Sequence, residues 1–281
     1  MQLTILMTIL MALTGATRAQ DGPTVLLLTD CNGYVHGVVK PTDGDSVVKR
    51  TIQAIVEDQL GGRLIHTDDA SKLTAEVLDP ARTQVVVMYT TDDLPLDLDL
   101  LNSYVEKGGT LLGIHCATDT FKESEKFYTL IGGTFVEHPW YANTDVVLKA
   151  TDPEHPVVAP IGRERALKEE IYLHKNLQPE QMRVLMVLDM EKTELKRPQV
   201  VPVVWVKEVG EGRVLYTSLG HNEAVWQSDW YQEHLTNGFK WLLRDIEASA
   251  EPNPDVTKRE EEIARRAAGA AEASGGGAER R

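Results

Sequence analysis

Residues 109–120 read GTLLGIHCATDT. Thr110 to Ile114 form a short apolar run with no polar alternation, the pattern of a strand buried on both faces. His115 and Cys116 stand at its C-terminal tip, where another apolar residue would be unremarkable. Working outward, the same kind of run recurs at Thr24–Thr29 and Gln84–Tyr89, and Arg63–His66 reads as a short, edge-like strand. Between them, Val47–Leu60 carries apolar residues at helical spacing and ends at Gly61-Gly62, as a glycine C-cap would. Leu98–Lys107 is a second helix, closed by Gly108-Gly109. Strand and helix alternate, which predicts an α/β fold with a doubly wound, mostly parallel sheet of the flavodoxin-like kind.

After the fourth strand the β character increases. Asp145–Lys149 alternates, while Val184–Leu188 and Val201–Val206 are apolar. Gly212–Thr217 follows Gly210 as the second arm of a hairpin. Trp230–Leu243 closes the domain as an amphipathic helix, with Leu235, Phe239 and Leu242 inward. The expected domain therefore spans residues 20–246. Residues 247–281 are charged and Ala/Gly-rich, with few large apolar side chains, and are expected to form a disordered tail.

The chain has 281 residues and a net charge of -14, with 42% hydrophobic and 26% charged residues. It is long enough for a packed core. The negative charge argues against nucleic-acid and anionic-membrane partners. Leu3–Leu13 is nearly continuously apolar and is followed by small residues ending at Ala19, which reads as a signal peptide over residues 1–19. It is shorter than the roughly 20 apolar residues of a membrane span. Export, periplasmic or secreted, with a mature chain from Gln20 is the expectation; a buried N-terminal strand or helix is the alternative. Exported proteins can form disulfides, but Cys31 and Cys116 both follow apolar strands, and two free, mostly buried thiols are the preferred reading.

In open α/β sheets ligands bind beyond the carboxyl ends of the strands. His36 lies in the loop after the first strand, His115 and Asp119 after the fourth, and His221 after the hairpin. Several imidazoles with a carboxylate suit a divalent transition metal, and equally suit acid–base chemistry near neutral pH. His66, His155, His174 and His234 are read as structural.

The series Gly113-Ile114-His115-Cys116-Ala117-Thr118-Asp119, Gly132-Gly133-Thr134-Phe135 with His138-Pro139, Asp152-Pro153-Glu154-His155-Pro156, Glu170-Ile171-Tyr172 and Gly212 through His221 resembles the trehalose-utilisation (ThuA-like) family. The resemblance runs from about Thr24 to Leu243 and implies a fold similar to class I glutamine amidotransferases. In those enzymes the strand-to-helix elbow carries a cysteine nucleophile. Here His115 occupies that slot and Cys116 is one residue late, so Cys116 is expected to point inward and glutaminase activity is not expected. The resemblance further implies carbohydrate chemistry, a small carbohydrate substrate and a partner sugar oxidoreductase. It carries over His115, Glu170 and His138 as catalytic candidates, with His36, His115 and His221 as ligands of a divalent metal, zinc by preference. Asp119, Trp140, Tyr172 and Trp226 are the candidate substrate contacts. A metal-dependent hydrolase, lyase or isomerase acting on a disaccharide or keto-sugar is the leading expectation. A non-catalytic carbohydrate-binding or accessory protein is the alternative.

Overall fold

A computed structural model describes residues 22–42 and 44–275. The expected signal peptide lies outside the described residues. Among them no helix is long and apolar enough to cross a membrane.

The first half builds β1 (Thr24–Leu28), α1 (Val47–Gln53), β2 (Arg63–Thr67), β3 (Val85–Met88), α2 (Leu98–Glu106), β4 (Thr110–Ile114) and α3 (Glu125–Ile131). The second half builds β5 (Thr134–Trp140), β6 (Asp145–Ala150), β7 (Glu164–Lys168), β8 (Ile171–Lys175), β9 (Arg183–Leu188), β10 (Pro202–Val209) and β11 (Gly212–Thr217). It closes with α4 (Glu223–Trp226), α5 (Asp229–Leu242) and α6 (Pro254–Gly275). Nine strands form one sheet in the order β2-β1-β3-β4-β11-β10-β9-β6-β7, while β5 and β8 pair separately. The strands from β2 through β11 run parallel, and β10, β9, β6 and β7 continue the sheet antiparallel. The expected fold class holds, and the hairpin is the first pair of a longer antiparallel wing.

The continuous apolar runs have a direct packing consequence. Val25 and Leu27, Val85 and Val87, and Leu112 and Ile114 face one core, shared with α1 and α5. Leu26 and Leu28, Val86 and Met88, and Leu111 face the other, shared with α2 and α3. Side chains alternate across a strand, so a strand covered on both faces must be apolar at every position.

Two features depart from the sequence reading. The single helix expected over 47–60 is α1 followed by a π-helical segment, Ala54–Gln59. Residues 247–275 do not form the expected disordered tail. Asn253 accepts from Val184 N at 2.8 Å and donates to Val184 O at 2.9 Å, fastening the chain to β9. The α6 helix then buries Ala264 and Ala268 and pairs Glu260 with Lys149. Small alanines allow close approach, so a segment poor in large apolar residues still docks.

Candidate functional site

The elbow after β4 is backbone-strained. His115 has φ +48°, in the left-handed region that non-glycine residues rarely adopt. Tyr216 Oη donates to the His115 carbonyl at 2.7 Å, which helps hold this geometry. The side chain is fully buried, and its Nδ1 lies 2.8 Å from the Ser218 carbonyl. A carbonyl only accepts, so Nδ1 carries the proton and Nε2 presents a lone pair toward the crevice.

Three other groups meet that lone pair. His221 Nδ1 is 3.2 Å from His115 Nε2. Glu170 Oε1 is 3.1 Å from His221 Nδ1 and 3.5 Å from His115 Nε2. The His36 ring lies 4.9 Å from that of His115 and 5.2 Å from that of His221, centroid to centroid. One ligand atom from each of His36, His115, Glu170 and His221 falls within 4.8 Å of the others. The buried Nδ1 of His36 has no hydrogen-bond partner. A buried ring nitrogen left without a partner beside converging lone pairs is costly in a protein alone. A bound cation removes that cost, so the residues fit a divalent metal. The contact of His115 Nδ1 with the Ser218 carbonyl is of the kind that orients metal-ligating histidines.

The electrostatics follow from this crowding. Burial, reinforced by His115 and His221, pushes His36 down to about 2, so it stays neutral. Burial also lowers His115, against the pull of Glu170. For Glu170 burial acts upward, but the facing imidazoles of His115 and His221 outweigh it and hold the carboxyl below its usual range. For His221 burial acts downward and Glu170 outweighs it, so its value is raised.

Above the cluster lies a cavity of about 470 Å³. Its floor is His36, Glu170 and His221, and its walls include Phe135, His138 and Tyr172. The β5–β8 ribbon supplies these walls by lying over the strand ends. His138 sits at the mouth, half-exposed, with Nδ1 3.6 Å from Glu170 Oε2. The Tyr172 ring leans on that of His115 at 4.3 Å and its hydroxyl is 3.4 Å from His36 Nε2. Asp119 lines the cavity and is paired with Lys122 at 2.8 Å.

Two candidate substrate contacts are not at the surface of the cavity. Trp140 is fully buried and donates to Leu195 O at 3.0 Å. Trp226 is fully buried and donates to Gly220 O at 2.8 Å, bracing the loop before His221. Core packing covers both rings, so neither offers a face to a sugar. Cys116 packs in the core with its thiol pushed up by burial, and both cysteines are free. His155 and His234 are likewise internal, and His174 is partly buried, its Nε2 lying between the hydroxyls of Thr118 and Tyr216.

The main residue that the sequence reading passed over is Glu169. It is fully buried, and its carboxylate accepts from the backbone N–H groups of Gly220 at 2.8 Å, His221 at 2.6 Å and Asn222 at 3.1 Å. Between β7 and β8 the two neighbours take different partners: Glu169 reaches the loop while Glu170 reaches the imidazoles. The adjacent acid pair was the signal. The tyrosines at the rim, Tyr34 and Tyr141, were also missed, because nothing local marks them as exposed.

Comparison with known proteins gives relatives of this architecture. A ThuA-like protein from Bacteroides uniformis superposes with a TM-score of 0.65 at 20% identity, covering 84% of this chain and 98% of that one. A ThuA-like protein from Parabacteroides merdae gives 0.60 at 17% identity, covering 84% and 99%. A cytoplasmic protein from Salmonella typhimurium gives 0.52 at 12% identity, covering 78% and 98%. At these identities the likeness concerns the fold. No curated protein matches the sequence. The family model for ThuA, described as trehalose utilisation, matches residues 25–242, nearly the whole described domain, and the chain belongs to that family.

Proposed function

We propose that this protein is an exported, metal-dependent enzyme that acts on a disaccharide or keto-sugar. The observation that carries the reading is the convergence of three imidazoles and one carboxylate, with His36, His221 and Glu170 on the floor of a cavity of about 470 Å³ and His115 buried against them. His36, His115, Glu170 and His221 would hold the ion; zinc suits three nitrogens and one oxygen. A divalent ion supplies Lewis acidity toward a sugar oxygen. The protein's own residues do the rest. Ser218 fixes the His115 tautomer, Glu169 holds the His221 loop, and Tyr172 with Phe135 walls the substrate space. His138 stands at the mouth outside the group of four, close enough to Glu170 to be oriented by it. It is the candidate for moving a proton to or from the substrate.

The test is elemental analysis of the purified wild type beside His115→Ala and His221→Ala, with circular dichroism to show that all three fold. The wild type should hold close to one transition-metal ion per chain and each variant less than about a tenth of that. Keto-sugar turnover should disappear with a chelator and in His115→Ala. His138→Ala should keep the metal and lose turnover. A folded wild type that takes up no metal on reconstitution overturns the proposal. Export has its own test. Secretion from a host with the native leader should give a chain whose intact mass starts at Gln20; an uncleaved intracellular product would refute it.

A further inference from the structure

Among the described residues, the exposed large apolar side chains are Tyr34, Val35, Ile65, Val136, Tyr141 and Leu195. The two most exposed, Tyr34 at 66% and Tyr141 at 63%, both line the cavity above the candidate metal group. They come from separate parts of the chain, the loop after β1 and the turn between β5 and β6. Apolar residues scattered singly over a surface need no explanation. Two open aromatic rings at the mouth of one cavity do, because each forgoes the stabilisation that burial would give it.

The fold fixes the backbone at each ring and leaves the ring open. Thr91 Oγ1 accepts from Gly33 N at 3.2 Å and donates to the Tyr34 carbonyl at 3.3 Å. Thr144 N donates to the Tyr141 carbonyl at 2.8 Å, and Asn222 Nδ2 donates to the Ala142 carbonyl at 2.7 Å. The Tyr34 ring stands nearly perpendicular to that of His36 at 4.8 Å, and the Tyr141 ring steeply inclined to that of His138 at 5.3 Å. Phe135 and Tyr172 line the same cavity, but they pack on each other at 4.4 Å and Tyr172 is buried. The aromatic surface left for a ligand is therefore that of Tyr34 and Tyr141, on supports that need little ordering when it binds.

The rest of the lining defines the occupant. His36, Asp119, Glu170 and His221 supply hydrogen-bonding groups, and no lysine or arginine lines the cavity. A phosphate or carboxylate on the ligand would find no guanidinium or ammonium group to pair with. The cavity suits a neutral molecule with hydroxyls on one side and an apolar face on the other. A pyranose ring is such a molecule. Its hydroxyls project from the edge, and the C–H groups of its face carry partial positive charge that suits the negative face of an aromatic ring. We infer that Tyr34 and Tyr141 are the residues that grip the sugar, their rings lying against the C–H face of a neutral pyranoside whose hydroxyls reach the floor. The inference rests on the carbohydrate reading of this cavity and adds the side chains that select the substrate by shape.

Calorimetric titration of glucose, galactose, maltose and trehalose into the zinc-reconstituted protein tests it, with the tightest-binding sugar as the probe. Tyr34→Ala and Tyr141→Ala should each weaken that sugar about five- to tenfold, whereas Tyr34→Phe and Tyr141→Phe should stay within about twofold of the wild type. Bound zinc should be equal in the wild type and every variant, which separates the effect from the metal group. Both positions are exposed, so the variants should fold, as circular dichroism will show. Alanine variants that bind the sugar as the wild type does overturn the inference and leave the carbohydrate reading intact. Phenylalanine variants that lose as much as the alanine variants assign the contact to the hydroxyls, which also overturns it. Failure of all four sugars to bind the zinc-loaded protein removes the carbohydrate reading, and the aromatic grip with it.

Discussion

Acidifying the chelator-treated protein from pH 7.5 to pH 5 is expected to destabilise the fold, with three histidines alone contributing a loss of about 6 kcal/mol. The cause is three histidines outside the candidate metal group. Burial pushes His155 down to about 4, His174 to about 3 and His234 to about 4. The geometry agrees. His234 Nδ1 is 2.7 Å from the Val157 carbonyl and its Nε2 has no partner. His174 Nδ1 has none either. His155 Nδ1 accepts from Val157 N at 3.3 Å, a bond that protonation there would break. The unfolded chain binds a proton at each imidazole below about pH 6.5, and the folded chain does not until much lower. The unfolded state therefore holds more protons, and stability falls as pH falls through this window. Each histidine contributes roughly 2 kcal/mol at pH 5. Total domain stabilities are about 5–15 kcal/mol, so a loss of this order should lower the melting temperature markedly between pH 7.5 and pH 5. Other groups act in the same window: Glu169, pushed up to about 7 by burial, and His221, raised by Glu170, gain stability as pH falls, while His36, pushed down to about 2, loses it. Circular dichroism melts between pH 7.5 and pH 4 measure this; a melting temperature flat across the range would show that these rings take up protons in the fold.

Replacing Glu169 by alanine should destabilise the protein by about 3–5 kcal/mol, because three backbone N–H groups lose their acceptor inside the structure. For a domain of this size that lowers the melting temperature by about 10 °C or more. Gly220, with φ +116°, gives the loop its shape, and the Tyr231 hydroxyl and Trp226 indole hold the carbonyls of Leu219 and Gly220. Glu169 is the only carboxylate among the described residues that the three amide hydrogens of residues 220–222 reach. Without it His221 loses its fixed distance to Glu170, so zinc affinity should fall about 10–100-fold even where the fold survives. Glu169→Gln keeps one acceptor oxygen and should recover a large part of both losses. Thermal melts and a competitive zinc titration on the two variants read the effects separately. A Glu169→Ala protein with unchanged melting temperature and unchanged zinc affinity would remove the positioning role.

Much of this was legible in the chain. The apolar runs at 24–29, 84–89 and 110–114 announce strands covered on both faces, and residues Val25 through Leu28 divide between two cores as that pattern requires. His36 and His115 follow two such strands and His221 follows the hairpin arm Gly212–Thr217, which pairs in parallel with β4, and a parallel sheet brings the ends of its strands to one edge. The tail escaped the same reasoning. Its docking depends on Asn253 finding Val184 and on alanines fitting against a surface built elsewhere, neither of which leaves a local pattern. Trp140 and Trp226 read as sugar platforms because an aromatic residue near a polar motif looks alike whether its face is open or covered.

By itself the sequence determined the strand and helix types, the doubly wound order and the residues at the strand tips, since each depends on periodicity within about ten neighbours. Only the tertiary structure decided which of those tips meet. His115 and His221 are 106 residues apart in the chain and 3.2 Å apart in space. The parallel pairing of β4 with β11 sets that distance, and the connection between β7 and β8 brings Glu170 to the imidazoles and Glu169 to the loop at 220–222. Distances between loops depend on sheet order and register, which arise from the packing of the whole domain.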